Sequence, residues 1–304
     1  KRKKILILMI KRIGKYLKRY IKNITVIKKK INLNNLAIMQ GRLVDSEKIG
    51  EIQFFPKKNW KKEMAIFKNN KFRFIEWVAN INNLNENPIN SSKKLKIIYE
   101  ACNDYKIKIR SIDAQFFIKK PFFKCSGIER NKRFDLLKKI FANSQKLKIK
   151  FFIIPALEGA SIGGQIDEKR FIEGIKELST TLKKGNYILI ESDYKPLKLK
   201  NLIKKINHKR VLINYDTGNS AGLGYNFNAE KKYFNYVKNI HLKDKKRFGK
   251  SVRLGEGDAN FKVLFNFLNK IRYKGELALQ CARSSTGKHV EEIYKNIDYL
   301  KKLI

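Results

Sequence analysis

The sequence predicts a (β/α)8 barrel, and three observations carry that prediction. From Asn35 to the end of the chain, eight short apolar, β-branched or aromatic runs alternate with eight longer segments of helical period. Several runs, such as Phe151–Ile154, are continuously apolar, as strands of a parallel sheet covered on both faces must be. The last four runs each carry a polar residue at, or within one residue of, their ends, which suits strands whose C-terminal ends form the mouth of a barrel. An open, doubly wound sheet would show the same alternation, but no GxGxxG or GxxxxGK[ST] turn follows the first run.

In chain order the expected strands are Leu36–Met39, Phe72–Val78, Ile107–Ile112, Phe151–Pro155, Tyr187–Glu191, Val211–Tyr215, Val237–Leu242 and Glu276–Gln280. The expected helices lie near Trp60–Asn69, Ser92–Tyr105, Arg130–Leu147, Glu168–Lys184, Pro196–Ile206, Ala229–Tyr236, Phe261–Ile271 and Val290–Leu303. Ser92 and Asn260 are expected to cap the helices that follow them, because a short polar side chain can accept an otherwise unpaired first-turn N–H. Pro196 fits a first helical turn, where no N–H is needed. Gly275 follows a helix end and leads into the eighth strand.

A chain of 304 residues with 43% hydrophobic and 12% aromatic content can bury a full core, and a barrel of eight βα units fills about 250 residues. The boundaries expected are a barrel over residues 35–304 and an extension over residues 1–34. That extension carries thirteen Lys and Arg and no acid, with apolar Ile10, Ile13, Leu17, Tyr20, Ile21 and Ile24 at helical spacing. It reads either as a basic amphipathic helix making weak contact with an anionic membrane surface or as a disordered segment. Its apolar run Ile5–Ile10 is too short to span a bilayer.

The net charge of +42 would ordinarily suggest a polyanion partner, but the lysines punctuate nearly every segment and accompany heavy use of Ile and Asn. Scattered charge of this kind is a solvated surface, so no specific nucleic-acid partner is expected. Cys102, Cys125 and Cys281 lack any CxxC spacing, which fits reduced thiols and a cytoplasmic location. Self-association into a homo-oligomer is left open.

The site expectation rests on four strand ends, Glu191, Asp216, His241 and Gln280, on the fifth to eighth runs. Any one of them could cap a helix or meet a lysine. Burying each alone after an apolar run would be costly, whereas a shared cation accounts for all four at once. Two carboxylates, one imidazole and one amide oxygen suit Mn²⁺, Mg²⁺ or Co²⁺, with Zn²⁺ also accommodated.

With these residues goes a resemblance. The stretches Ile38-Met-Gln-Gly-Arg-Leu43, Phe74-Ile-Glu-Trp77, Leu189-Ile-Glu191, Asn214-Tyr-Asp-Thr-Gly-Asn219, Ile240-His-Leu-Lys-Asp244 and Leu254-Gly-Glu-Gly-Asp258 resemble the sugar-phosphate isomerase/epimerase branch of the xylose-isomerase-like barrels. The resemblance spans about residues 35–304 and implies a metal held by Glu, Asp, His and Glu from the last four strands, with the two glutamates exchanging a substrate proton. Glu191, Asp216 and His241 match; Gln280 stands where the last glutamate is expected and cannot accept a proton. The resemblance therefore implies a sugar or sugar-phosphate isomerase or epimerase with Glu191 as its base. The alternatives are a sugar-binding barrel that has lost its chemistry and, less favoured, a repair nuclease of the endonuclease-IV kind. Asn219 stands where many members place a second His. Gln40, Arg42, Glu76, Glu158, Asn219, Lys243, Asp244 and Arg283 are expected to meet the substrate, and the cations among them suit an anionic sugar derivative.

Overall fold

In the computed structural model, residues 14–16, 31–47 and 51–304 are described. The expected amphipathic helix of the extension lies outside them except for Gly14–Tyr16, which are helical.

Eight parallel strands close on themselves: β1 (Ala37–Met39), β2 (Phe74–Val78), β3 (Lys108–Asp113), β4 (Phe151–Ala156), β5 (Tyr187–Ser192), β6 (Val211–Asp216), β7 (Val237–Leu242) and β10 (Glu276–Leu279). A short antiparallel ribbon, β8 (Asp244–Lys245) with β9 (Ser251–Val252), follows β7 outside the barrel. The order around the barrel is β1-β10-β7-β6-β5-β4-β3-β2, so every strand but the pair at the seam lies beside its neighbour in sequence. Each expected strand is present, with ends displaced by a residue or two.

The helices Trp60–Asn69, Leu95–Tyr105, Gly127–Lys146, Gln165–Thr180, Pro196–Ile206, Phe261–Lys270 and His289–Lys301 surround the strands. Asn260 caps as expected, its side chain accepting the Val263 N–H at 3.0 Å, and Pro196 occupies the first turn of its helix. Ser92 does not cap: it lies inside a 3-10 turn, Ser92–Lys94, that precedes the helix. The helix expected over Ala229–Tyr236 is instead one α-turn, Phe227–Glu230, continued by a 3-10 coil, Lys231–Tyr236. The neighbouring Tyr233 and Phe234 must both be buried there, which the tighter coil permits. A short helix, Phe116–Lys119, was not expected; it buries Phe116 and, with the turn after it, adds Phe117, Phe122 and Phe123 to an aromatic cluster whose tightest pair, Phe122 and Phe134, stands 4.9 Å apart.

Strand alternation sorts the core. Outward residues such as Trp77 pack under the helices, Trp77 meeting Trp60 edge-on at 5.6 Å while its Nε1 donates to Asn87 Oδ1 at 3.0 Å. Each such fully buried large side chain contributes roughly 1.5–3 kcal/mol. Inside the barrel, Phe151, Ile153 and Leu189 form a small apolar layer. Below it Arg110 stacks on Phe74 at 3.6 Å and pairs with Glu276 at 3.2 Å, closing the base. Above it the inward positions turn polar, which places the chemistry at the C-terminal mouth.

Candidate functional site

Register builds the site. On β6, Asn214 and Asp216 share the inward face, as Asn239 and His241 do on β7. A shift between Ile213 and Asn214 sets Asn214 opposite Asn239 and Asp216 opposite His241. A similar shift between Ile75 and Glu76 sets Glu76 opposite Ser111. Glu191 points inward from the end of β5.

His241 lies at the centre with no solvent exposure. Its Nδ1 stands 3.1 Å from Glu191 Oε2 and 3.9 Å from Asp216 Oδ2, and its Nε2 stands 2.8 Å from Glu76 Oε1. Burial alone would lower its pKa, but the carboxylates of Glu76 and Glu191 override that and lift it well above the ordinary histidine value. One ligand atom from each of Glu191, Asp216 and His241 lies within 4.8 Å of the others.

Asparagines hold the cluster. Asn214 Nδ2 donates to Glu191 Oε2 at 2.7 Å, Asn219 Nδ2 donates to Glu191 Oε1 at 2.8 Å, and Asn239 Nδ2 donates to Asn214 Oδ1 at 2.8 Å. Asp216 Oδ1 accepts the Asn219 N–H at 2.8 Å, capping the short helix Thr217–Gly222. Its Oδ2 is buried without a hydrogen-bond partner, as is Gln280 Oε1. Each such orphan costs about 1–3 kcal/mol unless something else binds it. The orphaned oxygen of Asp216, with Glu191 and an imidazole nitrogen, belongs to a group whose donor types could hold a divalent cation.

The remaining expected contacts divide. Gln40 is fully buried and accepts the Val78 N–H at 3.0 Å, leaving its Nε2 unpartnered. Lys243 reaches the cluster, with Nζ 3.6 Å from Asp216 Oδ2 and 3.4 Å from Asn219 Oδ1. Arg42 is buried and donates to the carbonyls of Cys281 (2.8 Å) and Ile52, leaving Nη2 unpartnered; desolvation lowers its pKa to about 10. Arg283 donates to the Val44 carbonyl and lies over the Phe54 ring at 4.9 Å. Asp244 accepts four backbone N–H groups, from Lys245, Gly255, Gly257 and Ala259, at 2.9–3.0 Å, so it anchors the loop 254–259. Gly257 belongs to that anchor, since a Cβ there would stand 2.1 Å from Asp244 Oδ1. Glu158 is exposed in a 3-10 turn beyond β4.

Sequence reading missed Asp113, Asn214, Asn239 and Ser111 as site residues. Asp113 ends β3 as Glu191 nearly ends β5; it is fully buried, accepts from Gln115 Nε2 at 2.7 Å and leaves Oδ1 unpartnered. Burial, with Glu191 and Glu76 as like-charged neighbours, pushes it up to about 8. The period-two spacing from Asp216 and His241 would have pointed to the two asparagines.

The family model described as a xylose isomerase-like TIM barrel matches residues 65–303. This chain belongs to that family. Among solved structures, the xylose isomerase-like chain is similar to the IOLI protein with a bound zinc atom, at 16% identity over 89% of this chain and 99% of that one, TM-score 0.66. It is similar to a xylose isomerase-like TIM barrel protein from Mycobacterium smegmatis in complex with magnesium, at 14% identity over 88% and 96%, TM-score 0.65. It is also similar to D-allulose 3-epimerase from Methylomonas sp. in complex with D-allulose, at 12% identity over 89% and 98%, TM-score 0.63. At these identities the likeness establishes the fold. A search of curated proteins finds no match. Among the described residues, no helix is long and apolar enough to cross a membrane.

Proposed function

We propose that this xylose isomerase-like barrel is a divalent-metal-dependent sugar isomerase or epimerase in which Glu191 moves the substrate proton. The observation that carries the reading is the convergence of Glu191, Asp216 and His241 at the barrel mouth, with the orphaned Gln280 oxygen among the four expected ligands. The bound zinc, magnesium and D-allulose of the structural neighbours support the same chemistry.

A bound Mn²⁺, Mg²⁺, Co²⁺ or Zn²⁺ would polarise a substrate carbonyl and acidify the carbon beside it. The protein supplies the base. Asn214 and Asn219 each donate to one oxygen of Glu191, which fixes the carboxylate plane and leaves lone pairs for a proton. The amide of Gln280 cannot accept that proton, so one base removes and returns it.

The cations bear on the charge of the substrate. Arg42 and Arg283 both donate to backbone carbonyls but each keeps one buried, unpartnered nitrogen, Nη2 of Arg42 and Nη1 of Arg283, and Lys243 is drawn to Asp216. The anionic sugar derivative expected from those three residues would supply those nitrogens with an acceptor. The loss of the second base favours one competing reading, a barrel that binds sugar without turnover. A repair nuclease with a histidine-rich zinc cluster has little support, because the described cluster contains one histidine.

The test is solvent-deuterium incorporation, followed by NMR, into D-fructose, D-allulose and other ketoses with Mn²⁺ supplied. Exchange that disappears in Glu191→Gln supports the isomerase reading. Metal and sugar binding without exchange supports the binding protein.

A further inference from the structure

Glu76 was expected to touch substrate, yet it has no solvent exposure and lies on the side of His241 away from the other ligands. An imidazole can offer only one ring nitrogen to a cation, and a buried ring must find an acceptor for the N–H on the other. Nδ1 of His241 faces Glu191 and Asp216, at 3.1 and 3.9 Å, while Nε2 lies 2.8 Å from Glu76 Oε1, within reach of a hydrogen bond although neither ring nitrogen nor that oxygen is aligned in one here. Glu76 comes from β2, three strands away from β7 around the barrel, so the contact crosses the interior. Its other oxygen is braced: Ser111 Oγ donates to Glu76 Oε2 at 2.7 Å, from the position that the register shift in β3 sets opposite it.

We propose that Glu76 is a positioning residue for the metal centre, held by Ser111, which takes the Nε2–H of His241 and so presents Nδ1 to the cation beside Glu191 and Asp216. This rests on the metal reading above and deepens it. A carboxylate behind a ligating histidine fixes the ring's tautomer and orientation and strengthens it as a donor, and removing such a partner typically weakens metal binding by roughly 10- to 100-fold. The same geometry withdraws Glu76 from the substrate.

The experiment uses the full chain, with Zn²⁺ as a diamagnetic probe, calorimetry for affinity and ¹⁵N NMR of the histidine rings. With His208, His241 and His289 the only histidines, assignment by His241→Gln is direct. In the Zn²⁺-loaded wild type, His241 is expected to carry its hydrogen on Nε2 with Nδ1 ligated. Glu76→Ala is expected to weaken Zn²⁺ binding by roughly 10- to 100-fold. Glu76→Gln is expected to weaken it less, because its amide oxygen still accepts, and to keep the ring pattern. It also keeps the test open if the alanine variant does not fold. Ser111→Ala is expected to give a smaller loss. Wild-type binding that both Glu76 variants leave within twofold, or a ring with Nε2 ligated, overturns this proposal alone. A wild type that binds neither Zn²⁺ nor Mn²⁺ overturns the metal reading and this proposal with it.

Discussion

Asn219, on the short helix after β6, donates from Nδ2 to Glu191 Oε1 at 2.8 Å, so the side chain following one strand holds the carboxylate that ends the strand before it. A hydrogen bond to a charged group contributes about 1.5–3 kcal/mol. If Glu191 is the base, Asn219→Ala is expected to slow solvent-deuterium exchange by roughly 10- to 100-fold, since each 1.36 kcal/mol is a factor of ten. Calorimetry with Mn²⁺ separates the causes. An unchanged metal affinity with slower exchange places the loss in the base, whereas an equal loss in both places it in ligation.

The metal reading makes a thermal prediction. A ligand that binds only the folded state at a hundred times its Kd adds about 2.7 kcal/mol. In a chain of this size each kcal/mol is worth roughly 2–4 °C. Melting after exhaustive chelation, then with excess Mn²⁺, is expected to show a rise of about 5–10 °C in the wild type. Asp216→Asn is expected to show little or none, because its carboxylate is both a candidate ligand and largely buried. An equal rise in the two proteins would place the metal elsewhere.

How much of this was legible in the sequence follows from what each signal depends on. The eight strands were visible because inward and outward faces are both buried, giving unbroken runs such as Phe151–Ile154, and Asp216 and His241 stood out as polar residues ending such runs. Asn214 and Asn239 lie two residues before Asp216 and His241, a spacing legible in the sequence, but their pairing with each other depends on a register shift that no periodicity records. The anchoring role of Asp244 was hidden for a related reason. A carboxylate just past a strand end suggests substrate contact, and nothing in the sequence records that the loop 254–259 folds back to give it four N–H groups. The carbonyl partners of Arg42 and Arg283 were also hidden, because sequence gives a backbone carbonyl no address.

The Asp244 anchor is open to a stability test. Asp244→Ala strips four N–H groups of a charged acceptor, and loss of a buried charged partner leaves costs of about 1–3 kcal/mol or more. Denaturant unfolding is expected to fall by several kcal/mol at most. Gly257→Ala is expected to follow in the same direction, because its Cβ would overlap the carboxylate. Neither change is expected to alter Mn²⁺ affinity in the folded fraction. A selective loss of metal binding would return Asp244 to the site.

Gln280 offers a gain-of-function test. Glu at that position would add a third carboxylate to the candidate ligands and a second glutamate, a group able to return the proton to the opposite face. Gln280→Glu is expected to bind Mn²⁺ more tightly through the added charge. If the native barrel works with one base, the variant is expected to add C3 epimerisation of D-fructose, read by chiral chromatography. Tighter metal binding with no epimerisation would mean that substrate does not sit between residues 191 and 280.

Glu63 gives the pH dependence. It is fully buried and accepts N–H groups from Gly41 (3.0 Å) and Leu43 (3.1 Å), fixing the turn after β1 where Gly41 adopts φ +81° and leaves no room for a Cβ against the Phe54 carbonyl. Burial raises its pKa from 4.5 to about 7, although both N–H groups and the nearby Arg42 and Arg283 act in the opposite direction. A carboxyl raised on folding prefers its proton in the native state. Its contribution is therefore complete below pH 4.5 and is lost as pH rises to about 7, a change of about 3 kcal/mol at 1.36 kcal/mol per unit. Asp113, also raised, acts in the same direction, so the comparison must be between proteins rather than along one curve. Glu63→Gln is expected to be less stable than the wild type at pH 4.5, since its amide can accept only one of the two N–H groups and opposes the other. As pH rises to 8 that deficit is expected to shrink by about the same 3 kcal/mol, because only the wild type loses stability at this position. Urea unfolding of both proteins across that range measures the difference, and a deficit that stays constant with pH would show that Glu63 titrates no differently in the folded chain than in the unfolded one.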